Sequence, residues 1–322
     1  MTKYPLGALP SKTDNRDYHI SKLIPVKKIF PEEFEINVGQ RMINQYNVGA
    51  CVSCSLTLTK EIQEKLERDT YIKYSIQFIY NNRASTDYQK SGMYPREALK
   101  RLKEYGVCRE ILLPGIKEYP NNIKSTEQMF KDAESQKITA YARIYNVDEI
   151  KSALMQLGPV SITIPVYDSF YYGGKLNLPD TKKEFLYGYH QITILGWRKG
   201  NHWLIQNSWS ENWGDLKGFC LMPFNYPIVE QWSITDYINP NPKPQPEPDK
   251  ETKIMKMNVP MQVIPPGHTV LGFRSIYEAL NGKVEWGYTK EGKIWAKATI
   301  PPTEKEIVIE TIQDSDEMKI IK

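Results

Sequence analysis

The side chains of this sequence best able to attack a carbonyl or move a proton are its four cysteines and four histidines, and they are unevenly placed. Cys51 and Cys54 fall three apart in INQYNVGACVSC, while Cys108 and Cys220 stand alone. A thiol attacks as thiolate, and a helix N-terminus beside an imidazolium lowers its pKa to hold it so. Cys51 follows Gly49-Ala50 and opens a run of helical period, which supplies the first of those aids. His190 heads an apolar β-branched run, GYHQITILGW, and Asn207 follows a second, WLIQ. Arg198-Lys199-Gly200-Asn201 between them is of hairpin length, so His190 and Asn207 should meet at one end of adjacent strands. His19, His202 and His268 lack such surroundings and read as surface or core histidines. Cys51-Val52-Ser53-Cys54 also fits a redox or zinc CxxC, but no second CxxC supplies further ligands, and no metal or organic cofactor is expected.

These residues need elements to carry them. After Cys51, an apolar stripe of Cys54, Leu58, Ile62 and Leu66, with Lys60, Glu64, Lys65 and Arg68 elsewhere, predicts a long half-buried helix. A second helix is expected from Tyr94, with Pro95 at its first turn and Gly106 as its stop, and a third from about Asp148 to Gly158-Pro159. Val160–Pro165, Gln191–Trp197 and Trp203–Gln206 then read as strands. Helices first and strands later imply an α+β fold with a largely antiparallel sheet. Proline at every second position in NPNPKPQPEP predicts an extended linker over 239–250. It separates a main body from a small β-rich domain, 251–322, with a hairpin in VEWGYT and KIWAKATI and a last strand in EIVIETI.

The 322 residues exceed one ordinary domain, and 40% hydrophobic with 25% charged residues is a globular composition able to bury a core. Forty-two basic against 38 acidic residues leave a surplus of four spread along the chain, which argues against a nucleic-acid partner. No apolar run reaches membrane-spanning length. Met1–Gly7 contains a proline and no apolar h-region, so a secretory signal peptide is not expected; cytoplasmic synthesis, with release or virion association left open, follows. The few, unevenly placed cysteines read as thiols.

Asn44-Gln45, with five residues between Gln45 and Cys51, and the triplet Gly49-Ala50-Cys51 at a helix start resemble the papain family of cysteine peptidases, in its bacterial or viral form. The His190 strand is similar to that family's histidine strand, and Asn207-Ser208-Trp209 with Trp213-Gly214 and Gly218 resembles its asparagine signature. The resemblance spans about residues 29–238, including Phe30–Phe34, SGMYPREALKRLKEYG and GPVSITI. It implies a two-lobed fold, a helical lobe against an antiparallel β lobe. It also implies that Cys51 attacks, His190 shuttles the proton, Asn207 orients the imidazole, Gln45 with the Cys51 N–H binds the oxyanion, and Trp209 shields the His190–Asn207 bond. Counting from Gln45 selects Cys51 over Cys54, which then lies on the apolar stripe as a buried thiol. Val48 and Val52 stand where many members have cysteine and tryptophan.

The implied substrate is a protein or peptide whose second residue before the cut enters an apolar pocket, with Tyr94 and Pro95 as a wall and Thr163, Gly188 and Gln191 near the floor. Tyr94-Pro95 reads equally as a plain helix start. Where the family usually has two glycines, this chain has Gly92 then Met93, and Met93 is expected to narrow the cleft. Residues 1–28 are too short for the family's inhibitory domain and are expected to pack as an extended arm across the cleft. Trp286, Tyr288 and Trp295 of the tail suit cross-strand packing, or a surface that binds a sugar or protein partner. A catalytically silent relative serving binding or assembly, and an amidase or transferase using the same acyl-thioester chemistry, are the rival classes.

Overall fold

In the computed structural model, described for residues 4–84, 91–115, 124–171 and 176–236 and, as backbone strands alone, 283–288, 294–300, 305–311 and 318–320, the chain divides into two units, Met1–Asn241 and Pro242–Lys322. The first is organised around α1, Cys51–Arg68. This helix starts without a side-chain cap at Ala50 and ends at Asp69 in left-handed conformation. Every residue from Cys51 to Glu64 is buried, so the expected half-buried helix with one apolar stripe is corrected: α1 is enclosed on all sides, and only its last turn emerges, with Leu66 48% exposed.

Its polar residues are buried because partners meet them. The Lys60 ammonium donates to Glu64 Oε1 at 2.9 Å and to Asp236 Oδ2 at 2.5 Å. The Glu61 carboxylate accepts from Arg41 at 3.1 and 2.7 Å, from Tyr71 Oη at 3.0 Å and from the Tyr74 N–H at 2.8 Å. A lone buried charge would cost several kcal/mol, so these pairs are what lets a helix with this sequence sit at the centre.

Beside α1 lie α2 (Ile76–Asn81), α3 (Pro95–Glu104) and α4 (Glu127–Glu134). α3 begins at Pro95, with Tyr94 as N-cap, and stops at Gly106, whose φ is +78°. α5 (Val147–Gln156) is capped by Asn146, whose side chain accepts from the Glu149 N–H. The sheet is antiparallel throughout and runs β2 (Ala140–Arg143), β7 (Glu230–Thr235), β3 (Val160–Tyr167), β4 (Leu186–Arg198), β5 (His202–Gln206), β6 (Phe219–Pro223), with β1 (Phe34–Glu35) also on β4. At that last pairing a Cβ on Gly196 would stand 2.0 Å from the Phe34 carbonyl oxygen, so only glycine lets the strands approach. α1 packs against α2 and α3 and against β4, β3 and β7 of the sheet, while α5 packs on β3 and β4, an α+β arrangement. α2, α4, β2, β6 and β7 had no sequence expectation attached, and β4 begins four residues before His190.

The second unit contains a four-stranded antiparallel sheet, β8 (Lys283–Tyr288), β9 (Ile294–Ile300), β10 (Lys305–Thr311) and β11 (Met318–Ile320), paired in chain order. Its first two strands cover the expected hairpin and β10 the expected last strand; β11 was not anticipated. The linker over 239–250 and the side chains of Trp286, Tyr288 and Trp295 lie outside the described residues.

Candidate active site

Cys51 is the first residue of α1, with its sulfur fully buried. The backbone N–H groups of Gln191, Gly7 and Val52 face the sulfur, yet burial dominates and pushes the thiol up to about 11. Gln191 follows His190 on β4, so the sulfur sits beside the histidine's own strand. β4 pairs with β5 in a register that sets Thr193 opposite Gln206, so that the next residue, Asn207, comes level with Ile192 and within side-chain reach of His190. His190 Nε2 and Asn207 Oδ1 lie 2.7 Å apart. His190 Nδ1 is buried with no hydrogen-bond partner, and desolvation pulls the imidazole down to about 4 against the supporting bond from Asn207. Trp209 covers the ring at 4.4 Å between centroids and is braced by Phe170 and Trp213 at 5.5 and 5.7 Å.

Gln45 is fully buried and clamped to the segment after Asn207: its Oε1 accepts from Ser208 Oγ at 2.6 Å and its N–H donates to the Ser208 carbonyl at 2.9 Å. Its Nε2 is thereby aimed, donating to the Val48 carbonyl at 2.8 Å and to the Pro5 carbonyl at 3.1 Å. Ser208 is the residue that sequence reasoning quoted without giving it a task; its place between Asn207 and Trp209 was the available signal. Cys54, one turn along α1, is also buried and lines a small cavity with Asn207, Ser208 and Gln191; burial raises its thiol far above the ordinary range.

Residues 4–9 run along this same cleft. The Tyr4 ring stacks on Trp209 at 4.6 Å and 6°, and Tyr171 Oη donates to the Tyr4 carbonyl at 2.5 Å. The Met93 N–H donates to the Gly7 carbonyl at 2.9 Å, Ala8 N–H to the Tyr189 carbonyl at 3.3 Å, and Leu9 N–H to the Met93 carbonyl at 2.9 Å. Gly7 passes so close to the loop before Cys51 that a Cβ on it would stand 2.0 Å from the Gly49 carbonyl oxygen. Beyond the cleft, Ser11 N–H donates to Glu230 Oε1 at 3.0 Å and Arg96 Nε to Asp17 Oδ1 at 2.7 Å. The short 3-10 turn Ile20–Lys22 then buries Ile20 completely.

The expected pocket residues divide. Gly92 and the Met93 backbone face residues 7–9, and Leu6 packs over Gly188. The Met93 side chain does not narrow the cleft: it is buried inward, its sulfur accepting from Ser53 Oγ at 3.1 Å. Thr163 Oγ1 donates to Gln191 Oε1 at 3.2 Å in the interior, while Gln191 Nε2 is buried with no hydrogen-bond partner. Tyr94 caps α3 and Pro95 is buried at its start. Nothing in the sequence around Ser11, Arg96 or Glu230 signalled that they would meet.

The family model described as papain family cysteine protease matches residues 31–234, a stretch that holds Gln45, Cys51, His190 and Asn207. The chain belongs to this family. Its similarity to cathepsin B-like cysteine proteinase 4 of Caenorhabditis elegans is 40% identity over 81 residues, 24% of each chain, and to cathepsin B-like cysteine proteinase 3 of the same organism 33% over 121 residues, 35% of this chain and 31% of the relative. The matched stretches thus span between a quarter and a third of these curated relatives. Among solved structures the fold is similar to xylellain, a cysteine protease from Xylella fastidiosa, with a TM-score of 0.65 at 25% identity over 73% of this chain and 97% of that one. Within the papain family, then, this chain keeps a cysteine, a histidine, an asparagine and a glutamine converging on one cleft, with its own N-terminal residues seated there.

Proposed function

We propose that this protein is a cysteine endopeptidase that cuts protein or peptide chains through an acyl-enzyme, with Cys51 as nucleophile, His190 as acid and base, Asn207 as the positioning residue and Gln45 as the oxyanion donor. The observation that carries the reading is the His190 Nε2–Asn207 Oδ1 contact of 2.7 Å, which leaves Nδ1 as the nitrogen free to take a proton, on the strand whose next residue, Gln191, turns its N–H to the Cys51 sulfur. The Cys51 thiol gives its proton to His190 Nδ1 and the sulfur bonds to the scissile carbonyl carbon. The charge this puts on the carbonyl oxygen is met by Gln45 Nε2 and the Cys51 N–H. When the C–N bond breaks, the imidazolium returns the proton to the departing amine. Water, deprotonated by His190, then opens the thioester, giving a carboxylic acid and the free thiol.

The Pro5 carbonyl on Gln45 Nε2 occupies the position an oxyanion would take, so residues 4–9 act as a plug in this reading. With the plug in place both reacting groups are desolvated and neutral near pH 7, the thiol at about 11 and the imidazole at about 4. Uncovering the cleft returns water and restores the proton transfer that activates the thiol.

Labelling with an epoxide-type thiol-protease inhibitor and digestion of a peptide library test the reading. Labelled Cys51 and cleaved peptides are expected, both lost in Cys51→Ala; labelling without any cleavage would make this an acyl-transfer enzyme of another class, and neither would make it a silent relative. Gly7→Val, which cannot fit against Gly49, should raise the cleavage rate of the full chain; an unchanged rate removes the plug.

A further inference from the structure

The part of the plug that lies past Cys51 from Met93 ends in an aromatic seat. Tyr4 stacks on Trp209, and Tyr171 closes the same seat at 5.6 Å from Trp209 and 6.2 Å from Tyr4. The seat does not stop there. Tyr187 lies 4.5 Å from Tyr171, Phe185 lies edge-on to Tyr187 at 4.9 Å, and Tyr187 is fixed by donating its hydroxyl to Asp168 Oδ1 at 2.8 Å. Phe185 is 64% exposed, so this row of rings runs from the buried Trp209 out to the surface. Tyr171 comes from the short helix Asp168–Tyr171 and Tyr187 from the start of β4, three residues before His190.

We propose that Trp209, Tyr171 and Tyr187 form a subsite that selects an aromatic side chain in the first two residues following the cleaved bond. The inference rests on the peptidase reading, in which the pocket for residues before the cut lies at the Tyr94–Pro95 end; the opposite end, where Tyr4 sits, receives the departing half. Flat rings on a fixed indole gain from offset stacking as well as from burial, which an aliphatic or charged side chain there cannot reproduce. The protein's own Tyr4 is the occupant whose chemistry identifies the seat. Its backbone is anchored separately, through Tyr171 Oη on the Tyr4 carbonyl and Gln45 on the Pro5 carbonyl, so the ring's contribution can be varied alone.

Two measurements test this on the full chain. Peptides differing only after the cut are offered to the Gly7→Val protein, and kcat/KM for Phe or Tyr is expected to exceed that for Ala or Lys by about tenfold, the scale of one good ring pair. The ratio is read within each variant, so changes in overall rate cancel; it should fall to within about twofold in Tyr171→Ala/Tyr187→Ala. Equal cleavage of all peptides, or a preference that survives the double substitution, overturns the inference. A peptidyl dye amide, which offers no side chain after the bond, reports the peptidase reading by itself. The second measurement needs no turnover: alkylation of Cys51 in Tyr4→Phe should be as slow as in the unmodified chain and several-fold faster in Tyr4→Ala. Equal rates in all three would overturn the aromatic seat even in a protein that cleaves nothing.

Discussion

Two cysteines one helical turn apart differ in what their surroundings allow. Cys51 opens α1, where backbone N–H groups face its sulfur; Cys54 lies in the interior against Asn207 and Ser208. Cys51→Ala should abolish inhibitor labelling, seen by mass spectrometry, with little change in melting temperature. Cys54→Ala should keep the labelling site and lose about 1–2 kcal/mol to the cavity left behind, read from denaturant unfolding. Labelling at Cys54 would reverse the assignment. The acid–base residues also write a pH dependence into stability. His190 sits near 4, below its ordinary 6.5, so the unfolded chain takes up the proton first; its contribution is full above pH 6.5 and is lost as pH falls toward 4. Cys51 is raised from 9.0 to about 11, so its contribution is full below pH 9.0 and is lost as pH rises toward 11. The two groups together favour the folded chain most between pH 6.5 and 9.0. The acid limb should reach up to about 3 kcal/mol, since a unit of pKa is worth about 1.4 kcal/mol. Denaturant midpoints from pH 7 to 4 should therefore fall more steeply for the unmodified chain than for His190→Asn; parallel curves would refute the assignment.

At the scale of elements, α1 carries more than the proposed nucleophile. A helix buried on every side gains its stability from packing, and its ionic residues hold because each is met: Lys60 by Glu64 and Asp236, Glu61 by Arg41 and two tyrosines. Lys60→Ala would leave the Asp236 carboxylate buried without its cation and Glu64 with Arg68 alone, and should cost about 3–5 kcal/mol. Its effect on kcat/KM, measured where the protein remains folded, should be small, because Lys60 sits more than two turns along α1 from Cys51. The β4–β5 hairpin sets the site's other half. Its short connection through Gly200 and Asn201, both in left-handed conformation, fixes the register that returns Asn207 to His190. This pairing was legible in the sequence because two strands and a turn are local. The enclosure of α1 was not, because Asp236 and Arg41, which permit it, come from distant parts of the chain.

For the whole molecule, the papain family match ends at residue 234 and the contact boundary falls at Asn241, so the peptidase body is a unit of its own. Removing residues 242–322 should leave its melting temperature and its turnover of a peptidyl dye amide within about twofold; loss of either would mean that the tail supports the body. The sequence by itself singled out the four residues of the proposed machinery, Cys51, His190, Asn207 and Gln45, together with the strands and helix starts that present them. Those features are written in short windows: Gln45 to Cys51 is seven residues, and His190 to Asn207 spans one hairpin. The expected arm across the cleft named no contacts, and only the tertiary structure decided that Tyr4 to Leu9 are the residues lying there, that Ser11 and Asp17 reach Glu230 and Arg96, and that Met93 turns inward onto Ser53. An extended segment with no helical or strand period carries no local mark of its destination. What holds it is a set of backbone hydrogen bonds and one stacked ring, supplied by residues that become neighbours only after the sheet and α1 have closed around them.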